Sequence, residues 1–299
     1  MFVILNKWYN VTHSTTDWTN DFTCQGKWIF ILVVSEVIGL IQSFYRLFIE
    51  LTNRRWSSVL LKRFAQSKLS KKIVPSFARI YEINQGEMEK ELKDYESLHE
   101  FFIRKLKPGM RKIAEQQDAI VSPVDAVIED IGEIEPNQQI TVKGKVYSIV
   151  EMLGSTEAAE YYNDGTYMVL YLSPSHYHRI HSPISGKVFK RWKLGTRSYP
   201  VNSLGLKYGK DTLAKNYRSI TEINYGEDRL AVVKVGAMFV NSIEPIHTGD
   251  SIRKGEEMAY FTFGSTVVLL FKQNAISFTE QPQLPKPVKV GETIGTLER

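Results

Sequence analysis

Eleven residues near the C-terminus, Phe261-Thr262-Phe263-Gly264-Ser265-Thr266-Val267-Val268-Leu269-Leu270-Phe271, constrain the fold more than any other stretch. Aromatic and β-branched residues lie on both sides of a short polar break, which predicts a buried β-strand. A glycine inside a strand weakens it and marks a bulge or a close backbone approach. Ser265 carries its hydroxyl next to the Gly264 carbonyl, which no side chain shields. That arrangement suits attack of the hydroxyl on the carbonyl, an N→O acyl shift that turns the amide into an ester. Elimination from the ester would break the chain and leave residue 265 as a blocked pyruvoyl group. Taken alone, Gly-Ser-Thr reads as a bulge with a surface hydroxyl.

The chain has 299 residues, enough for one large domain or two small ones. With 43% hydrophobic and 24% charged residues it is an ordered, globular sequence. Its single cysteine, Cys24, forbids an internal disulfide and fits a reducing compartment. The net charge of +5 suits contact with an anionic surface. No nucleic-acid recognition motif accompanies that charge, so nucleic acid is not an expected partner.

Trp28-Ile-Phe-Ile-Leu-Val-Val34 is the strongest apolar run, and apolar residues continue at helical spacing to Leu51. Glu36 near the middle argues against a spanning helix, which wants about 20 residues with few charges. An amphipathic helix lying in a membrane interface, with Arg46, Arg54 and Arg55 near its end, fits the pattern. An ordinary core helix fits the pattern too. Further on, Ser97 with Glu100 three residues later is a capping-box signature, and Pro108-Gly109 stops that helix. From Val121 the texture changes to short β-rich runs between Gly, Pro and Asn turns: 126–131, 140–142, 167–172, 186–189, 229–235, 258–263 and 267–271. The predicted class is α+β, with N-terminal amphipathic helices followed by a mainly antiparallel β sandwich or barrel-sandwich-like core. A second short motif, Leu153-Gly154-Ser155-Thr156, sits in a polar stretch and is predicted to start a helix.

Two further segments accompany Gly264-Ser265-Thr266: Ser122-Pro123-Val124-Asp125 and Tyr177-His178-Arg179-Ile180-His181-Ser182-Pro183. Together the three resemble, in order and approximate spacing, the phosphatidylserine decarboxylases of the prokaryotic type, a family of self-cleaving pyruvoyl enzymes. The likeness extends from near Ser43 to the C-terminus and includes Arg197–Asn202, Lys215–Arg218 and Val235–Met238. Ala126 stands where the family usually has Gly, and residues 1–40 match no family segment.

The resemblance implies a decarboxylase that turns phosphatidylserine into phosphatidylethanolamine. It implies a proenzyme cut between Gly264 and Ser265 into a β chain, 1–264, and an α chain, 265–299, that remain together as a heterodimer. Residues 1–115 form a helical, membrane-associating region in this scheme, and 116–299 the catalytic core. Asp125, His181 and Ser265 would act as a relay in self-cleavage. His178 would later donate a proton to the substrate carbon. The covalent pyruvoyl group derived from Ser265 would serve as electron sink, with no metal and no diffusible cofactor. The partner would be phosphatidylserine in an anionic membrane, met peripherally on the cytoplasmic face of the cell membrane.

Two rival readings remain on residues alone. A non-enzymatic barrel-sandwich carrier would need an exposed lysine at a hairpin tip. A soluble pyruvoyl-dependent amino-acid decarboxylase would not need the amphipathic N-terminal segment. A metal site built on His176, His178 and His181 is disfavoured because Pro174 and Pro183 bracket the segment and no acidic fourth ligand is evident.

Overall fold

The computed structural model describes residues 55–298 except 198, 200, 202–210, 238–242, 263–264 and 279–282. The predicted interfacial segment, 28–51, and the glycine of the predicted cleavage pair, Gly264, lie outside the described residues.

Short helices come first. Helix α1 is Arg55–Gln66, a 3₁₀ turn covers Lys68–Ile73, and α2 is Val74–Ile80. Helix α3, Leu98–Phe102, begins as predicted. Ser97 Oγ accepts the Glu100 N–H at 3.1 Å. The Glu100 carboxylate reaches back one residue further than a capping box requires, to the Glu96 N–H at 2.8 Å. Leu98 and Phe101 join Val74, Ala78, Ile83, Met88 and Tyr95 in a small apolar core. Helices α4, Ile149–Leu153, and α5, Thr156–Glu160, come later, and α6 is Thr212–Lys215. Gly154, at φ +69, closes α4, and Ser155 Oγ caps α5 through the Ala158 N–H at 3.2 Å. The second Gly-Ser-Thr is therefore the helix start the sequence predicts.

The strands are β1 (Ala119–Val121), β2 (Ala126–Glu133), β3 (Gln139–Val142), β4 (Lys145–Ser148), β5 (Thr166–Leu172) and β6 (Arg179–His181). They continue with β7 (Gly186–Leu194), β8 (Arg218–Tyr225), β9 (Asp228–Gly236), β10 (Ile243–Pro245) and β11 (Ser251–Ile252). The last five are β12 (Glu257–Phe261), β13 (Ser265–Phe271), β14 (Ile276–Ser277), β15 (Lys286–Val288) and β16 (Thr293–Leu297). Their named pairings are antiparallel, which bears out the predicted α+β class.

Eight strands make the main sheet, in the order β11-β7-β8-β9-β13-β5-β2-β15. Strand β13 sits inside it, paired along its whole length with β5 on one side and β9 on the other. Its continuous apolar character follows from that position. Val267, Leu269 and Phe271 enter one core, while Val268 and Leu270 enter a second core on the other face.

The run from Phe261 to Phe271 is not one strand. Strand β12 ends at Phe261 in a separate three-stranded sheet, β10-β12-β6, and β13 starts at Ser265 in the main sheet. The polar break is the crossing from one sheet to the other.

Candidate functional site

Strand pairing sets the start of the histidine segment beside Ser265. Ser265 opens β13 opposite Leu172, the last residue of β5, and Gly236, the last residue of β9. The chain leaves β5 at Leu172 and reaches β6 at Arg179 through a loop that carries Ser173, Ser175, His176, Tyr177 and His178. At the far end of that loop the His178 carbonyl accepts the Phe261 N–H at 3.0 Å. The loop thus begins beside Ser265 and ends beside Phe261, the last residue of β12.

The loop is held tightly. The Ser173 N–H donates to His176 Nδ1 at 3.0 Å. Arg104, just past α3 and buried, donates from Nη2 to the carbonyls of Ser175 and His176, at 2.7 and 3.0 Å. His178 is fully buried, with its ring against that of Phe102 at 4.0 Å between centroids. Its Nδ1 lies 2.9 Å from the His176 carbonyl, which can only accept, so Nδ1 carries the proton. Its Nε2 is then a bare lone pair, buried and, among the described residues, without a hydrogen-bond partner. Burial, and next the positive charge of Arg104, push the His178 pKa well below the ordinary imidazole value. At neutral pH this side chain is an uncharged base.

Among the described residues Ser265 Oγ and Thr266 Oγ1 are also buried without partners. Buried hydroxyls normally find one, and the exceptions call for an explanation such as reactivity.

His181 has different surroundings. Its Nδ1 is 2.7 Å from the Gly255 carbonyl, and its Nε2 is 3.2 Å from the Tyr177 hydroxyl. That hydroxyl also lies 3.3 Å from Glu257 Oε1, and Glu257 is gripped by Arg179 Nη1 at 3.0 and 2.9 Å. Burial lowers the His181 pKa, opposed by its carbonyl contact and by the charges of Glu257 and Asp125.

Asp125 accepts from Arg111 Nε at 2.8 Å, from Arg111 Nη2 and from the Val290 N–H at 2.9 Å. Arg111 also donates to Glu87 at 2.8 Å. Burial works against the Arg111 charge, but its bonds to Asp125 and Glu87 more than offset this and hold its pKa above the ordinary value. The link between Asp125 and His181 is through the backbone: the His181 N–H donates to the Pro123 carbonyl at 2.8 Å. Among the described residues no side-chain hydrogen bond joins Asp125, His181 and Ser265 to one another. Register sets His178, at the Phe261 end of β6, nearer the sheet crossing than His181, which pairs with Glu257.

Residues that sequence reasoning missed are the arginines and the aromatic around these groups. Phe102, Arg104 and Arg111 fall in one stretch, Phe101–Arg111, where buried aromatics are followed by cations. That juxtaposition is the signal that could have found them. Among the described residues no three His, Cys, Asp or Glu side chains converge in a way that could hold a metal ion.

Comparison with known sequences finds that a family model described as phosphatidylserine decarboxylase matches residues 98–296. A phosphatidylserine decarboxylase proenzyme of Geobacillus sp. (strain WCH70) is 59% identical over 254 residues, covering 85% of this chain and 98% of that protein. The proenzyme of the same name from Geobacillus kaustophilus (strain HTA426) is 60% identical over 253 residues, 84% of this chain and 95% of its own length. That of Bacillus thuringiensis (strain Al Hakam) is 57% identical over 255 residues, 85% of this chain and 97% of its own.

Proposed function

The chain belongs to the phosphatidylserine decarboxylase family, and from that premise we propose that it converts phosphatidylserine to phosphatidylethanolamine after cutting itself between Gly264 and Ser265. The observation that carries the proposal is the buried Ser265 Oγ, unpartnered among the described residues, at the first residue of a central strand, with a likewise unpartnered imidazole nitrogen on the loop that leaves the neighbouring strand. The relatives' designation as proenzymes supports it.

In self-cleavage the Ser265 hydroxyl attacks the Gly264 carbonyl; the ester so formed eliminates the Gly264 carboxylate to leave a dehydroalanine, which takes up water and loses ammonia to become a pyruvoyl group at residue 265. Asp125 and His181 serve the proton transfers, with Asp125 acting through its field and through the shared backbone contact at Pro123. The orphaned atoms of Ser265 and His178 fit a group formed at this position. Once formed, the pyruvoyl carbonyl supplies the electron sink that decarboxylation needs. The chain's own contribution is then to exclude water, to orient the headgroup and to relay a proton to the substrate carbon through His178, whose bare Nε2 has to take that proton up first.

A second reading of His178 rests on a specific observation. Its bare Nε2 and its position beside the sheet crossing also suit it to take the Ser265 hydroxyl proton during cleavage.

The proposed setting is a peripheral one, on the cytoplasmic face of an anionic cell membrane, with residues 1–115 as the membrane-associating region and 116–299 as the catalytic core. No helix among the described residues is long and apolar enough to cross a membrane. Leu60, Phe64, Leu69, Ile73 and Ile80 are exposed on α1, the 3₁₀ turn and α2, beside Lys68, Lys72 and Arg79. An exposed apolar strip flanked by cations supports interfacial docking.

The deciding test is the mass of purified protein, with activity measured on phosphatidylserine and on free serine. The proposal expects chains 1–264 and 265–299, the smaller resistant to Edman degradation, and turnover of the lipid. A single intact chain active on the lipid refutes self-cleavage, and turnover of free serine alone refutes the lipid substrate.

A further inference from the structure

Lys234 lies in the middle of β9, between Val233 and Val235, and is 2% exposed. Its Nζ donates to Thr221 Oγ1 on β8 at 2.7 Å. A buried ammonium has three donors to satisfy and calls for an anionic partner. The charge that acts on Lys234 is instead that of Arg191, of the same sign. Burial first, and Arg191 second, lower its pKa to about 7, so that much of the amine is uncharged and nucleophilic at neutral pH.

A cavity of about 30 Å³ opens beside Nζ, walled by Ser219, Thr221, Ile243 and Met258, with Arg191 and His247 at its rim. At roughly 10–15 Å³ per water-sized sphere, it has room for two or three non-hydrogen atoms. A lipid headgroup, a nucleotide or a peptide is too large. The wall offers two hydroxyls. Arg191 is braced at the exposed end by the Gly249 carbonyl at 2.7 Å and by His247 Nδ1 at 2.9 Å. The site therefore suits a three-atom electrophile that becomes an anion on reacting with an amine.

We propose that Lys234 takes up carbon dioxide as a carbamate, with decarboxylation by this same chain as its source, so that the source, though not the site, rests on the function proposed above. The Nζ lone pair forms a bond to the carbon of CO2, and one C=O π pair moves onto oxygen. The nitrogen then gives one proton to water at the Arg191 end. The product, an N-carboxylated lysine, carries one negative charge. It accepts from Thr221 and Ser219 and faces the Arg191 guanidinium, so attraction replaces like-charge repulsion. Lys234 pairs with Val267, and Ser265 pairs with Gly236, so Lys234 and Ser265 stand on the same face of the sheet one step apart. The modification puts a product-dependent charge next to the reacting residue.

The test incubates the full chain with carbon-13 bicarbonate near neutral pH, traps carbamates by ethylation with triethyloxonium and maps the peptides by mass spectrometry. Lys234 is expected to carry the labelled ester at several-fold higher occupancy than surface lysines such as Lys112 and Lys187, and Lys234→Met to lose it. Label on Lys234 no greater than on those surface lysines overturns the proposal, in a measurement that needs no variant to fold. Because the bicarbonate is supplied, the labelling result is independent of whether the chain acts on phosphatidylserine.

Discussion

Two imidazoles three residues apart, His178 and His181, have been given opposite surroundings. One nitrogen of His178 is bare and buried, whereas both nitrogens of His181 lie within hydrogen-bond distance of partners. The proposed division of labour is tested on that difference. Ser265→Ala, Asp125→Asn and His181→Ala are expected to leave the chain whole and inactive on a denaturing gel and a lipid assay, since residues that act as a unit fail as a unit. His178→Ala is expected to cleave yet lose about 10²–10⁴ in turnover. An uncleaved His178→Ala beside a normally cleaved His181→Ala selects the second reading. A further outcome concerns Arg111, whose removal leaves Asp125 charged and unpaired in a buried place. Arg111→Met is expected to lower stability by about 3–5 kcal/mol, measured by urea unfolding of the uncleaved Ser265→Ala background. Asp125, His178, His181 and Ser265 were legible as spaced motifs. Arg104 and Arg111 were not, because their roles are set by carbonyls and carboxylates that only the folded chain brings to them.

At the scale of elements, the strands that announced themselves are those with continuous or alternating apolar residues, β2, β5, β9 and β13. Strand β8 was not legible. Arg-Ser-Ile-Thr-Glu-Ile-Asn-Tyr reads as polar, yet Arg218 and Glu222 are both buried. Arg218 Nε reaches the Met152 carbonyl at 2.7 Å and its Nη1 the Asn216 carbonyl at 2.9 Å, while Glu222 accepts from the Tyr162 hydroxyl at 2.9 Å. Partners supplied by distant segments make a polar strand buriable, and no local pattern records them. The break at 262–264 was legible as a break but not as a change of sheet. Leu269→Ala, in the fully buried β13, is expected to cost about 2–5 kcal/mol in the same unfolding assay. On the helical side, Phe64→Glu combined with Leu69→Glu is expected to weaken binding to anionic vesicles several-fold in a flotation assay. Unchanged flotation would count against docking through α1 and the 3₁₀ turn.

For the molecule as a whole, acid is the condition to which the fold is exposed. Burial is the first cause that lowers the pKa of His99, His176, His178 and His181. A histidine whose folded pKa is depressed contributes stability that is fully present above its unfolded pKa, about 6.5, and is lost as pH falls below it. The midpoint of thermal unfolding is therefore expected to fall between pH 7 and pH 5, and His99→Gln, distant in sequence from the reacting segment, to reduce the fall. The interior position of β13 bears on something else, the order of events in the life of the chain. A serine at the head of that strand meets its neighbours on β5 and β9 only after the sheet has closed around it. Scission there would come late, as a receipt for completed folding, and the cut polypeptide would stay clamped by seven residue pairs on either side. The ratio of cut to uncut chain in a cell extract would then read out how much of the protein had folded, with no assay of the lipid at all.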